Sequence, residues 1–99
     1  MTMLPQSLES LGNIKVGTAD TRLEVIAGPY VRYSDWGYVP VLHVRVERSG
    51  LDYLLPISAR SLAKQLQDLL NTHQTFVGLR FDLRKTGEEK TSPYELRKI

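Results

Sequence analysis

Residues 39–71 read VPVLHVRVERSGLDYLLPISARSLAKQLQDLLN, and the hydrophobic period changes once within them. Leu42, Val44 and Val46 alternate with His43, Arg45 and Glu47, the two-residue period of a strand with one buried and one wet face. Ser49-Gly50 is a turn signal. Tyr53, Leu55 and Ile57 alternate again on the return, so residues 39–48 and 51–57 form a hairpin. The period then lengthens. Leu62, Leu66, Leu69 and Leu70 recur at the spacing of one helical face, with Arg60, Lys64, Gln67 and Asp68 mostly outside. Ser58 suits the start and Asn71 the end of a helix of about three turns.

Outward from this stretch the two-residue period returns. Leu23 and Val25 alternate with Arg22 and Glu24 in residues 18–27, and Gly28-Pro29 breaks or bends that strand. Val77, Leu79, Phe81 and Leu83 face one way in residues 75–84, opposite Arg80, Asp82 and Arg84, with Gly78 as a candidate bend. Residues 85–93 are polar and contain Thr86-Gly87, and residues 94–99 form a short last strand. In residues 1–13, Leu4, Leu8 and Leu11 fall on one helical face, but the stretch is too short to hold a helix alone. It is expected to pack on the domain or to be disordered, in preference to contacting a partner, with residues 14–99 as the folded domain. The predicted chain is mainly β, in the order β-β-β-α-β-β. That is the element order of a five-stranded OB-fold barrel with one helix between strands three and four.

Ninety-nine residues make one domain with a thin core and little room for a deep active site. The net charge is +2, so a nucleic-acid partner has to be argued from where the charges lie. There is no cysteine, which excludes disulfides and thiolate chemistry. No apolar run reaches the length of a membrane span, and the first residues lack the pattern of a signal peptide. A soluble, intracellular, cytoplasmic protein is expected, with no membrane partner. No phosphate-binding glycine loop, nucleophile elbow or tuned carboxylate pair is present, so no enzyme activity and no cofactor are expected. His43 has no second histidine near it in sequence, and no metal site is expected. His73 follows the predicted helix, where a cation suits the helix dipole.

Two stretches carry a binding signal. Tyr30, Tyr33, Trp36 and Tyr38 are half of the aromatic side chains, and they surround Arg32 in a polar stretch between the first two predicted strands. Exposed rings are stacking platforms for unpaired bases, and Arg32 adds a phosphate or cation–π contact. Some of these rings could instead close the end of the barrel. The second stretch, residues 84–94, supplies Arg84, Lys85 and Lys90, and Glu88-Glu89 work against its basic character. His43 and Arg45 stand on the wet face of the second predicted strand between these stretches, and Arg22 can join them. Arg45 could also be neutralised by Glu24 or Glu47.

The run Leu79-Arg80-Phe81-Asp82-Leu83-Arg84-Lys85-Thr86-Gly87, followed by Lys90-Thr91 and Tyr94-Glu95-Leu96, resembles the end of small phage and archaeal single-stranded-DNA-binding OB domains. The likeness covers the last two strands, and the rest only as element order. Glu88-Glu89 stand where many relatives have small residues, and residues 97–99 are not the acidic tail that recruits partners in many such proteins. The resemblance implies non-specific binding of single-stranded DNA in replication or repair, through aromatic stacking and basic grooves. With the residues read above, the expected contacts are stacking on Tyr30, Tyr33, Trp36 and Tyr38 and phosphate contacts from Arg32, Arg45, Arg84, Lys85 and Lys90, with His43 on the same face. Two alternatives stay open: an RNA-binding OB module, and a protein–protein interaction module built on the aromatic stretch. Homo-oligomerisation is compatible with each.

Overall fold

The computed structural model describes residues 2–34, 37–57, 59–89 and 92–99. It contains strands β1 (Thr2–Met3), β2 (Thr21–Ser34), β3 (Gly37–Val46), β4 (Asp52–Pro56), β5 (Arg80–Lys85) and β6 (Tyr94–Lys98), helix α1 (Arg60–His73), and a 3-10 turn at Gln6–Leu8. The sheet order is β4-β3-β2-β5-β6, with every neighbouring pair antiparallel. The five predicted strands and the single helix are therefore present in the predicted order. The sheet is open: β4 and β6 are its outer strands and do not pair with each other.

The long strand β2 organises the sheet. Its first residues, Thr21 to Glu24, pair with β5 on one side, while β3 runs along the other side as far as Ser34. Beyond β5, Thr2 and Met3 pair in parallel with Tyr30 and Val31. Drawn out straight, 14 residues would span about 46 Å. The whole molecule measures only 32 Å along its longest axis, so β2 is bent. The bend lies where its register with β3 shifts, between Val25 and Tyr30. Gly28 in this segment has φ +114°, and a Cβ there would sit 3.2 Å from the Val41 carbonyl oxygen. Gly28-Pro29 thus bends the strand without ending it. Residues 30–38, expected as a loop, are for the most part the outer half of the β2–β3 hairpin, with Tyr33 paired to Tyr38.

One face of the sheet and the helix enclose the main core. Leu23, Val25, Leu42, Val44, Leu55, Phe81 and Leu83 meet Leu62 and Leu66 of α1 there. Residue Ala59 precedes α1 without a side-chain cap; Ser58, the expected cap, lies outside the described residues. The helix stops one turn later than expected because Gln74, not Asn71, takes the left-handed conformation and donates its N–H to the Leu70 carbonyl. His73 is accordingly the last helical residue. Strand β5 starts later than expected. Residues 75–78 turn instead, Val77 is exposed, and Gly78 at φ +88° donates its N–H to the Val25 carbonyl. On its other side α1 reaches the outer edge of β6. The Gln65 amide donates to the Tyr94 carbonyl at 2.8 Å and accepts from the Leu96 N–H at 2.8 Å, so one side chain imitates a neighbouring strand.

Residues 2–17 form a strap across the other face. The Leu4 N–H bonds the Val31 carbonyl, Leu54 in β4 exchanges hydrogen bonds with Gly12 and Ile14, and the Lys85 N–H donates to the Gly17 carbonyl. In place of the predicted helical face there is only the 3-10 turn, yet Leu4, Leu8 and Leu11 converge on one patch. They cover Val41, Leu54 and Tyr30, a second apolar cluster. No helix of the described residues is long and apolar enough to cross a membrane.

Candidate functional site

The strand alternation sorts the expected site residues onto different surfaces. Tyr30, Arg32, His43, Arg45 and Arg84 share the sheet face opposite the main core, as the cross-strand pairs Tyr30↔Val41, Arg32↔Val39, Glu24↔Arg45 and Arg84↔Glu95 require. Tyr33 and Tyr38 project from the other face of the same hairpin, and Lys85 lies beside Tyr94. Trp36 and Lys90 lie outside the described residues.

Tyr33 and Tyr38 are 68% and 67% exposed, with ring centroids 5.4 Å apart and planes at 72°. The edge-to-face contact holds each ring in place without burying it. Met3, also exposed, pairs with Val31 on this face. Tyr30 is different: it is half-buried and packs with the strap leucines against the second apolar cluster. Between the two surfaces, Arg32 donates to Asn13 Oδ1 at 3.1 Å and has no carboxylate partner among the described residues. Lys85 Nζ stands 5.6 Å from the centroid of the Tyr94 ring.

The remaining arginines of the wet face are matched to acids. Arg45 Nε donates to Asp52 Oδ1 at 2.7 Å, and His43 Nε2 lies 2.9 Å from Asp52 Oδ2. His43 is therefore a buried, partnered side chain, not an open surface group. Hydrogen bonds from Arg45 and then from His43 hold the Asp52 carboxyl below the ordinary carboxylate range. Arg22 donates to Asp82 at 3.0 Å, and Arg97 bridges Asp82 and Asp20. Asp82 is buried, and its pKa is lowered chiefly by the Arg22 hydrogen bond. Arg80 donates to Glu47, and Arg84 donates to Glu95 at 3.1 Å. Each of these guanidinium groups has its charge largely matched by a carboxylate, which weakens its attraction for a phosphate.

Asp52 was the residue missed from sequence. Glu24 and Glu47 were the expected partners of Arg45, but the tight Ser49-Gly50 connection sets Arg45 directly opposite Asp52 across the β3–β4 hairpin. The strap was missed as a structural element because two strand residues and one 3-10 turn have no period to detect. No three of His, Cys, Asp and Glu gather as a metal ligand set among the described residues. Comparison with protein-family models, curated proteins and solved structures finds no match.

Proposed function

We propose that the chain is a non-catalytic OB-type domain that binds single-stranded nucleic acid, in the first instance DNA. One observation carries this reading: an exposed, mutually braced tyrosine pair, Tyr33 and Tyr38, on a protruding hairpin whose Arg32 has no acidic partner among the described residues. Two rings braced against each other and left two-thirds in water form a fixed apolar platform, and bases stack on aromatic side chains without regard to sequence. In this proposal Arg32 and Lys85 meet phosphates. The Arg45–Asp52 and Arg84–Glu95 pairs shape the sheet and do not contact the backbone.

The OB-type assignment is supported by topology. The first long strand is shared between the second and fourth, and the helix following the third strand grips the edge of the fifth. The test is anisotropy titration of a fluorescein-labelled oligo(dT) at increasing salt, with an RNA oligonucleotide as competitor. A complex at micromolar protein whose affinity falls linearly on a log–log salt plot is expected. No complex at low salt would sink the proposal, and preferential competition by RNA would move the ligand from DNA to RNA.

A further inference from the structure

We infer that the N-terminal strap is an intramolecular competitor that occupies part of the nucleic-acid surface and has to swing away for full binding. This rests on the function proposed above. The strap lies on the face of β3 and β4, the strands across which an OB-type domain takes its ligand. What it covers has the chemistry of a base-and-phosphate surface: the Tyr30 ring, the aliphatic Val41 and Leu54, and the Arg32 guanidinium. What covers it imitates such a ligand. Leu4, Leu8 and Leu11 lie on the apolar patch, and Asn13 occupies the Arg32 guanidinium. Glu9, the sole ionisable side chain of residues 2–13, lines the same groove of about 320 Å³ as Arg32, together with Met3, Leu4, Val31 and Tyr33.

The attachment is slight. Residues 2–13 hold the sheet through a two-residue strand, the Leu4–Val31 and Gly12–Leu54 backbone bonds, the Asn13–Arg32 bond and the burial of Leu4 in the second cluster. The leucines contribute to the second cluster and not to the main core, whereas Ile14 and Val16 pack against the main core, so residues 2–13 can leave while residues 14–17 stay and the core remains closed. Opening would uncover Tyr30 and release Arg32 on the hairpin face opposite the Tyr33–Tyr38 pair, so that both faces of the hairpin could take part in binding.

The chain has no cysteine, so a lock can be introduced cleanly. Met3 and Val31 are register partners, and parallel neighbours at about 4.8 Å suit a disulfide. Their side chains face away from the Leu4 cluster. The full-length Met3→Cys/Val31→Cys protein is titrated with fluorescein-labelled oligo(dT), oxidised and reduced, beside Leu4→Ser as an opened variant. A strap closed ten to one lowers apparent affinity about tenfold. The oxidised form is therefore expected to bind at least about tenfold more weakly than the reduced form, and Leu4→Ser to bind more tightly than the parent. Hydrogen exchange gives an independent readout, because the Leu4 and Leu54 amides should lose protection when oligonucleotide is added. Equal binding by oxidised and reduced forms, or full protection of both amides in the complex, would overturn the inference and leave the nucleic-acid reading intact. No binding by the reduced form or by Leu4→Ser would overturn both.

Discussion

Replacing Tyr33 and Tyr38 by alanine, singly and together, separates a stacking role from a structural one. Each ring has lost only about a third of its surface to the protein. Full burial of a large apolar side chain stabilises by up to about 3 kcal/mol, so the buried third contributes about 1 kcal/mol. The edge-to-face contact adds about 0.5–1.5 kcal/mol and disappears in either single variant. Each substitution should thus cost about 1.5–2.5 kcal/mol of stability, whereas truncating a core aromatic costs about 3–5 kcal/mol. On the ligand side, loss of one stacked base costs about 1–3 kcal/mol, or about 5- to 150-fold in affinity. Urea denaturation reads the first quantity and oligo(dT) anisotropy the second, on the same preparations. A double variant that stays folded and binds within about twofold of the parent would refute the stacking argument. A loss of stability in the core range would show that the rings are structural.

Three further outcomes follow from the geometry. Asp52 and Asp82 have pKa values lowered in the folded protein by Arg45 with His43 and by Arg22 with Arg97; their contribution to stability is therefore complete above the unfolded aspartate value of about 3.9 and lost as pH falls through the lower folded values. Urea midpoints measured downward from about pH 5 should fall, and less steeply in Asp82→Asn. Gln65→Ala removes both hydrogen bonds to the β6 edge; a cost of about 1–3 kcal/mol is expected, with faster exchange of the Leu96 amide than of its neighbours in β5. Gly28→Ala forces a Cβ against the Val41 carbonyl at positive φ, and should destabilise by more than about 1 kcal/mol in thermal melts.

The elements with a strong period were legible in the sequence. The alternation at Leu42 and Val44, with the partly buried Val46, and the helical recurrence at Leu62 and Leu66 are the core-facing sides of β3 and α1. Errors cluster where local signals compete with tertiary pairing. Gly28-Pro29 has the composition of a strand end, yet hydrogen bonding to β3 and β1 carries β2 through it to Ser34. Tyr30, Tyr33 and Tyr38 do not show a simple buried alternation because Tyr30 faces the strap while its neighbours extend past the core. Val77 continues the alternation of β5 in sequence but is exposed in the turn before that strand. For the candidate site, the residue types were legible and their pairing was not. Cross-strand register put Asp52 beside Arg45 and Glu95 beside Arg84, and register depends on the fold as a whole.

An open sheet has two outer strands, each a template on which a second chain could add itself. Here one template is blanked by a side chain and the other by the strap. Gln65 takes the Tyr94 and Leu96 backbone groups of β6, and Gly12 and Ile14 take those of Leu54 in β4. The first blocker belongs to a packed helix and is permanent; the second is only as lasting as the strap's attachment. A strap released as far as Ile14 would therefore leave the chain with one self-adhesive margin, the β4 edge, while the Tyr94–Leu96 part of the β6 margin stayed sealed.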